Sequence, residues 1–529
     1  MVRNMDREYI KGIDGLRAIA VLAVILFHMD SFPFWQGGFT GVDIFFVISG
    51  YVISKSLANT SDITLGSTLL GFYKRRLTRI IPALLVMLLV TTLASTLFIP
   101  SAWLGRTIDS TGLSAFFGYS NFSLAWNNEN YYSPRVDYNP FLHTWSLGLE
   151  EQFYLIFPFI FYFQLKHKGK ADNKKTKRKC LPSFVLIALA VSSFLFSIFE
   201  STAHGRNAYY LLPSRFWELA TGVLLFLLHQ QGRLVPKSKG WSNLLIVTGL
   251  GIVGAGFLMA DAHAFPFPWA LLPVTGTVLL ICGALEREDT PPGLQRVLCC
   301  SVLTYIGRIS YSLYLWHWPV CALFRWTFGF ETMISKGLYV LVTFLMAMIS
   351  YHFIEHPIRR NGFLKRQKSW RIVTVSLVVI VTTYFSARFI VASKSEWSLS
   401  VTKNTTIWNS RRYWFDGPKK PVPVLFAPPY RCSDWFNRMN PIGANGLTVS
   451  REFLKRMRQP VMESMTEMAG MHEHFYIWDP FPVLCTGETF SAYDQQGQPI
   501  FRDGDHLSGH GNRMLAPSFR KFLVSLWGQ

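Results

Sequence analysis

Long apolar runs alternate with short polar segments through most of this chain, and only the last part has a mixed pattern. A helix needs about 20 apolar residues to cross the hydrocarbon core of a bilayer. The segment 111–126 is apolar but short, so we expect it to be re-entrant or interfacial. The remaining pattern predicts eleven transmembrane helices, near residues 13–29, 39–58, 81–99, 144–164, 183–201, 213–230, 242–260, 269–285, 304–326, 336–356 and 372–392.

The composition is that of a membrane protein. Of the 529 residues, 50% are hydrophobic and only 16% are charged. A formal net charge of +20 would suggest nucleic-acid binding in a soluble protein, but here Lys and Arg cluster between the apolar runs. Such loops stay on the cytoplasmic side of the membrane. We therefore expect no nucleic-acid partner, a cytoplasmic N-terminus, and an extracytoplasmic segment after the last helix.

The first two predicted helices carry ionisable side chains. Arg17 and His28 lie eleven residues apart on the first, about three turns or roughly 16 Å along one face, and Asp43 lies on the second. A charged group at the centre of a span costs ~2.5–3.5 kcal/mol on insertion scales, so such residues tend to line a protein interior or an aqueous path. A snorkelling arginine and a histidine at the headgroup boundary are the alternative.

Four further polar clusters interrupt the apolar pattern, at the third, fourth, sixth and ninth helices. The third follows a group of arginines, which suits phosphate contacts as well as simple membrane anchoring. The fourth carries two adjacent carboxylates after a histidine, the sixth an Arg–Glu pair one turn apart, and the ninth a polar stripe suited to a substrate path. These residues are Arg75, Arg76, Arg79, His143, Trp145, Ser146, Glu150, Glu151, Arg215, Glu218, Ser310, Tyr311 and His317.

Together these motifs resemble the membrane-bound acyltransferase-3 family, which transfers acyl groups, commonly acetyl from acetyl-CoA, onto extracytoplasmic glycans. The resemblance covers about residues 8–360 and rests on many motifs that occur in order. They are Arg17 with His28, the stretch 38–46, the arginine cluster, and the stretches 143–146, 150–154, 215–218, 310–312 with His317, and 355–357.

The resemblance implies roles for these residues. Acetyl-CoA would be the acyl donor, with its phosphates at Arg75, Arg76 and Arg79, and no metal is expected. His28 would be the general base for the acceptor hydroxyl, because an imidazole can hold a proton transiently. The rest of the predicted catalytic set is Arg17, Asp43, His143, Glu150 and Glu151, with Asp43 or one of the two glutamates orienting His28. The predicted substrate path is Trp145, Ser146, Arg215, Glu218, Ser310, Tyr311 and His317.

The mechanism stays open at this stage. Direct transfer to the hydroxyl and a covalent acyl-His or acyl-Ser intermediate are both compatible with the residues. The implied partners are the lipid bilayer and an envelope glycan such as lipopolysaccharide O-antigen.

The end of the chain resembles a different family. Asp503 and His506, followed by Leu-Ser, are similar to the last block of SGNH-type esterases and acyltransferases, in which they act with a Ser nucleophile. No Gly-Asp-Ser block appears between Glu396 and Cys432. A triad without its nucleophile is not a triad. We therefore expect a truncated, inactive remnant, and metal binding by Asp503, His506 and His510, or by His472 and His474, is a minor alternative.

Two cysteines, Cys432 and Cys485, stand alone in this polar region, which suits one disulfide in an oxidising compartment. The predicted fold is an all-α polytopic membrane protein of about eleven transmembrane helices, followed by a small, incomplete α/β SGNH-like extracytoplasmic domain. The predicted domains are 1–360 for the acyltransferase, 361–395 for a linker with the eleventh helix, and 396–529 for the remnant.

The predicted function is that of a membrane-bound O-acyltransferase in the bacterial inner membrane, which moves acetyl from cytoplasmic acyl-CoA to an envelope glycan, with its C-terminal domain in the periplasm. A transporter or flippase of a glycan precursor is one alternative, and would be expected to show repeat symmetry and broken helices. An acyltransferase inactivated by loss of the SGNH Ser block is the other.

Overall fold

A computed structural model gives the fold of the chain. Two compact units are present, and we call them the helical unit and the C-terminal unit. The helical unit is Met1–Thr92, Arg106–Ala322 and Lys336–Arg388, and the C-terminal unit is Leu93–Gly105, Leu323–Ser335 and Phe389–Gln529. The structure describes residues 10–29, 35–58, 64–99, 106–126, 136–169, 181–203, 205–236, 238–285, 293–327, 329–330, 332–399, 424–426, 448–471, 475–491, 494–496, 498, 500 and 507–527.

A helix occupies the position of every predicted transmembrane segment. In chain order the α-helices before residue 400 are α1 (Lys11–Phe27), α2 (Gly41–Ala58), α3 (Leu65–Phe98), α4 (Arg106–Ala115), α5 (Ser120–Trp126), α6 (Thr144–Gly169), α7 (Leu181–Ala203), α8 (Gly205–Tyr210), α9 (Leu212–Gln230), α10 (Lys239–Met259), α11 (Leu271–Ala284), α12 (Gln295–Leu298), α13 (Ser301–Thr327), α14 (Met333–Ser350), α15 (His356–Arg360), α16 (Gly362–Arg366), α17 (Ser369–Ala392) and α18 (Lys394–Trp397).

Seven helical stretches among the described residues are long and apolar enough to cross a membrane, against the eleven that the sequence predicts. They are Gly38–Ala58, Leu65–Phe98, Phe184–Ala203, Gly205–Gln230, Lys239–Met259, Met333–Arg366 and Ser369–Ala392. Large apolar side chains on several of these helices are exposed, for example Phe199, Leu258, Phe353 and Phe385. Apolar surface of this extent is what lipid would cover.

Helix α3 begins much earlier than predicted, at Leu65 rather than near residue 81. Its 34 residues give a length of about 51 Å, compared with about 30 Å for the hydrocarbon core. The prediction counted only apolar residues, whereas Lys and Arg are also good helix formers and extend the helix at its start. The arginine cluster therefore belongs to the same rigid helix as the apolar segment.

Two other local predictions can be compared with the structure. The segment 111–126 forms parts of α4 and α5, which have ten and seven residues and are too short to span, as expected. The tenth predicted helix, near residues 336–356, does not end there. A π-helical turn, Tyr351–Glu355, follows α14, and Pro357 lies in the first turn of α15, where its missing N–H is tolerated.

The centre of the helical unit depends on a close approach between α2 and α9. A Cβ added to Gly50 would lie 1.9 Å from the carbonyl oxygen of Leu219, and one added to Gly222 would lie 2.0 Å from that of Val47. Only glycine allows the two backbones to come this close. This contact brings polar residues of α2 and α9 together in the core.

The C-terminal unit contains short strands and helices. They are β1 (Val424–Phe426), β2 (Thr448–Ser450), α19 (Arg451–Met471), β3 (Tyr476–Trp478), α20 (Phe481–Leu484), β4 (Thr489–Ser491) and α21 (Gly509–Trp527). Strand β1 pairs in parallel with β3, and β2 pairs antiparallel with β4. A parallel pair requires a crossover connection, and α19 lies between β1 and β3 in the sequence, as in an α/β fold.

The structure does not show the predicted Cys432–Cys485 disulfide. Cys485 is a buried free cysteine, and its thiol faces the carbonyl oxygen of Gly487 at 3.9 Å. Cys432 lies outside the described residues, as do His472, His474, Asp503 and His506. His510 is described, and its Nε2 lies 2.8 Å from a carboxylate oxygen of Asp494.

Candidate functional site

A cavity of about 300 Å³ lies among α1, α2, α3, α6 and α13 of the helical unit. Five cationic side chains line it, against three carboxylates, and hydroxyl groups lie between them. The polar and charged lining residues are Asp14, Arg17, Ser49, Lys55, Arg76, Arg79, Ser146, Glu150, Glu151, Tyr154, Ser310, Tyr311, Tyr314 and Arg359. The cavity thus carries an excess of positive charge inside an apolar bundle.

Two arginines of α3, Arg76 and Arg79, line the cavity. Neither makes an ion pair with a carboxylate of the described residues, whereas Arg17 lies 3.8 Å from Asp14. The Arg76 guanidinium lies over the Tyr154 ring at 5.3 Å, and its buried Nε has no hydrogen-bond partner within the described ranges. Guanidinium groups left in this state suit phosphate or carboxylate groups of a ligand.

Glu150 lines the cavity and is hydrogen-bonded to two other lining residues. Its carboxylate accepts hydrogen bonds from the Ser49 hydroxyl at 2.9 Å and from the Tyr154 hydroxyl at 2.5 Å. Tyr154 is the ring on which Arg76 lies, so Glu150 positions the arginine through the tyrosine. That a glutamate of the Glu150/Glu151 pair orients His28 stays a prediction, and the contacts described for the Glu150 carboxylate are with Ser49 and Tyr154.

Tyr314 lines the cavity and also contacts a cluster of histidines. Its hydroxyl lies 2.5 Å from the Ser146 hydroxyl and 3.2 Å from the His143 carbonyl oxygen. Its ring centroid lies 5.1 Å from that of His317 and 5.8 Å from that of His143. Tyr314 therefore belongs to the lining of the basic cavity and also contacts the histidine cluster.

Three imidazoles form this cluster, which we call the histidine cluster: His28, His143 and His317. The His317 ring lies between the other two, with ring centroids 5.6 Å from His28 and 5.7 Å from His143. His28 is partly exposed at the end of α1, whereas His143 and His317 are buried. The Trp318 ring contacts His28 edge-on at 4.4 Å. The histidine cluster thus extends from a partly exposed imidazole, that of His28, to two buried ones.

A buried ion triad lies beside this site. The Arg215 guanidinium lies 2.8 Å from Asp43 and 3.3 Å from Glu218, and all three side chains are almost fully buried. Aromatic rings surround the guanidinium, among them Phe265 at 4.9 Å and Trp145 at 5.8 Å. The predicted pairing of Arg215 with Glu218 is confirmed. That Asp43 orients His28 stays a prediction, and the partner described for this carboxylate is Arg215.

The structure thus divides the predicted site residues into three groups and leaves one outside. The cavity receives Arg17, Arg76, Arg79, Ser146, Glu150, Glu151, Ser310 and Tyr311; the histidine cluster receives His28, His143 and His317; and the triad receives Asp43, Arg215 and Glu218, with Trp145 against it. Arg75 does not line the cavity. It is exposed on α3 and donates weakly to the Ser56 carbonyl at 3.5 Å.

Sequence reasoning did not single out Ser49, Lys55 or Tyr314. Tyr314 had a usable signal, because it follows Ser310 by four residues and precedes His317 by three, which places all three on one helical face. Ser49 and Lys55 had none, because a Ser and a Lys near the end of an apolar helix are typical of ordinary membrane anchors. Among the described residues, no group of three or more His, Cys, Asp or Glu side chains is arranged to hold a metal ion.

Comparisons with known proteins point to one family. The sequence model of a family described as "Acyltransferase domain" matches residues 10–381, and that of an SGNH domain fused to such domains matches residues 417–521. The O-acetyltransferase OatA of Staphylococcus aureus strain MRSA252 is 32% identical over 391 residues, which are 71% of this chain and 62% of that protein. The peptidoglycan O-acetyltransferase OatA of Listeria monocytogenes is 31% identical over 373 residues, which are 69% of this chain and 58% of that protein.

The matched part of the chain therefore spans less than two thirds of the length of these relatives. No solved structure matches the chain significantly.

Proposed function

This chain belongs to the acyltransferase family whose domain spans residues 10–381, and on that premise we propose that it transfers an acyl group to hydroxyls of an envelope glycan. The donor in this proposal is cytoplasmic acyl-CoA, with acetyl as the acyl group. The N-terminus is then cytoplasmic, the chain crosses the bacterial inner membrane several times, and the C-terminal unit is extracytoplasmic.

One observation carries the proposal: a basic cavity adjoins a cluster of histidines, and Tyr314 lines the cavity and contacts the cluster. Arg76 and Arg79 have no carboxylate partner among the described residues, so they are available to the phosphates of CoA. Ser146 and Tyr314 place two hydroxyls in the lining of the cavity, and the Tyr314 ring also contacts the imidazoles of His143 and His317. This order of groups suits a donor whose charged end stays near the arginines while its thioester reaches the histidines.

His28 suits the acceptor side of the reaction because it is the partly exposed member of the cluster. A hydroxyl approaching from the aqueous phase would meet this imidazole first, and His28 would take up its proton as general base. In the net reaction the acyl carbon exchanges its bond to the CoA sulfur for a bond to the hydroxyl oxygen, and the hydroxyl proton, taken up by His28, balances the CoA thiolate. Atoms and charge balance without a metal or redox partner.

The acceptor is an envelope glycan in this proposal. The name of the Listeria monocytogenes relative supports peptidoglycan as the acceptor, whereas lipopolysaccharide O-antigen is the acceptor that the sequence motifs first suggested. Both present sugar hydroxyls, which is the chemistry that the mechanism requires.

The test is O-acyl analysis of both glycans from cells that express the full chain. Mass spectrometry of base-labile acyl groups on isolated peptidoglycan and on lipopolysaccharide should detect them on one of the two with the wild type and on neither with His28→Ala. The exposed His352, which lies outside the cavity and the histidine cluster, provides a matched control, and His352→Gln should acylate as the wild type does. Equal acylation by wild type and His28→Ala would disprove the role of His28. If neither the wild type nor His28→Ala acylates either glycan, although the protein is present in the membrane, the proposed function is refuted.

A further inference from the structure

The buried histidine of the cluster has a fixed tautomer. The Nδ1 of His317 lies 2.6 Å from the backbone carbonyl oxygen of Tyr314. A carbonyl oxygen can only accept a hydrogen bond, so Nδ1 must carry the proton. A neutral imidazole has one proton on its two nitrogens, and therefore the Nε2 of His317 presents a lone pair.

This lone pair has no partner among the described residues. The His317 side chain is fully buried (0% exposed), and its Nε2 makes no hydrogen bond. A buried acceptor left in this state costs about 1–3 kcal/mol, so it calls for an explanation. A nitrogen with an unshared pair, held in one orientation and shielded from water, is a nucleophile.

The position of His317 fits that role. Its ring lies 5.1 Å from Tyr314, which lines the donor cavity, and 5.6 Å from His28, the partly exposed imidazole. A group that leaves the cavity for the exposed side thus meets His317 before it meets His28. The other neighbour, His143, is also buried, and neither of its ring nitrogens has a hydrogen-bond partner in the part of the chain that the structure describes.

We infer that His317 carries the acyl group between donor and acceptor as an acyl-imidazole on Nε2. In the first step the Nε2–carbon bond forms, the carbon–sulfur bond of acyl-CoA breaks, and CoA leaves as the thiolate. The acylated imidazole is cationic because Nδ1 keeps its proton, and this charge balances the thiolate. In the second step the acceptor hydroxyl attacks the acyl carbon, the Nε2–carbon bond breaks, and His28 takes the hydroxyl proton and releases it to solvent, which leaves both imidazoles neutral. Nδ1–H stays bonded to the Tyr314 carbonyl throughout, so His317 is regenerated in its starting tautomer.

The inference rests on the proposed function, because it assumes an acyl-CoA donor, and it divides the reaction into two separable halves. The first half needs no acceptor, so it can be followed as exchange of labelled CoA into acetyl-CoA by the purified full-length protein in lipid nanodiscs. The wild type should catalyse exchange, and His317→Gln should lose it by at least about 10³-fold. His28→Ala should keep exchange while it loses transfer to the glycan.

A second variant gives a readout that does not depend on turnover. His317→Cys keeps a nucleophile at this position, and incubation with acetyl-CoA should leave an acetyl thioester on that residue, which survives denaturation, is removed by hydroxylamine, and is mapped by mass spectrometry to α13. His352→Cys, at the exposed histidine, should remain unlabelled.

Several outcomes would overturn the inference while the proposed function stands. These are transfer to glycan by the wild type without CoA exchange, wild-type exchange by His317→Gln, loss of exchange in His28→Ala, or no label on folded His317→Cys. A wild-type protein that neither exchanges CoA nor acylates glycan would instead count against the proposed function.

Discussion

The guanidinium of Arg215 lies 2.8 Å from the carboxylate of Asp43, and neither side chain is more than 1% exposed. Glu218 lies on the other side of the same guanidinium, at 3.3 Å. One cation thus serves two carboxylates in the core of the helical unit, between α2 and α9. Taking charges out of water is costly, so the triad depends on its cation.

Replacing Arg215 with methionine should therefore be far more damaging than replacing Asp43 with asparagine. Arg215→Met leaves two buried carboxylates without a cation, and breaking a buried pair in this way costs about 3–5 kcal/mol. Asp43→Asn leaves Arg215 paired with Glu218, so its cost should be smaller. Thermal unfolding of the purified protein in detergent measures both.

Arg308→Met is the control for the triad, because Arg308 is exposed on α13, and its loss should change stability by no more than ~0.5 kcal/mol. If Asp43→Asn proved as destabilising as Arg215→Met, the triad would not depend on its cation in the way argued here.

The two arginines of α3 that line the cavity should differ from the third, which does not. Arg76→Gln or Arg79→Gln removes a cation that the donor's phosphates would contact, and losing a charged hydrogen bond of about 1.5–3 kcal/mol raises the KM for acetyl-CoA by roughly 10- to 100-fold. Arg75→Gln removes an exposed charge on the same helix and should leave KM nearly unchanged. Initial rates against acetyl-CoA concentration separate the three variants, and equal effects at all three would mean that only surface charge matters.

The positions of the long apolar helices could be predicted from the sequence, because a long apolar run locates such a helix without any periodic pattern. Their ends were less predictable. The start of α3 at Leu65 was missed because helix propensity continues through charged residues. The π-helical turn at Tyr351–Glu355, after which the helix continues through Pro357, was missed because no simple sequence pattern predicts such a turn.

The residue types at the site could be predicted, but their pairings could not. Ionisable groups in apolar segments are costly and therefore identify Arg17, His28, Asp43 and Glu150 as unusual. Which of these side chains contact each other depends on how the helices pack, and spacing along the sequence does not predict contacts between helices. Asp43 is 172 positions from its partner Arg215 in the sequence, and Glu150 is 101 positions from Ser49.

A single methyl group at the crossing of α2 and α9 should destabilise the helical unit. The Cβ of Gly50→Ala would lie 1.9 Å from the Leu219 carbonyl oxygen, which belongs to backbone and cannot turn aside, so we expect a loss of ~1–3 kcal/mol. Gly251 in α10 is exposed and has nothing within 4 Å of an added Cβ, so Gly251→Ala should stabilise by ~0.5–1 kcal/mol. Unfolding midpoints in detergent compare the two, and opposite signs are the expected result.

The thiol of Cys485 should react slowly with iodoacetamide. Burial raises the pKa of this thiol, so less of the reactive thiolate is present at neutral pH, and the rate should keep rising with pH beyond the range typical of an exposed cysteine. Cys300 is exposed and serves as the internal reference. Mass spectrometry of the alkylated peptides follows both residues in one sample. Alkylation of Cys485 that depends on prior reduction would reveal the predicted disulfide with Cys432 in the protein as isolated from cells.

The SGNH-like end of the chain should not supply the catalytic residues of acyl transfer. Asp503 and His506 match the last block of that family, but no Gly-Asp-Ser block precedes them between Glu396 and Cys432, and Asp and His without the Ser cannot form the acyl-enzyme. Asp503→Ala and His506→Ala should therefore acylate the glycan at rates within about twofold of the wild type, whereas losing a working general base costs about 10²–10⁴-fold. The same glycan analysis that tests His28→Ala measures them. A loss of that larger size in either variant would mean that a nucleophile of a different sequence pattern completes the site.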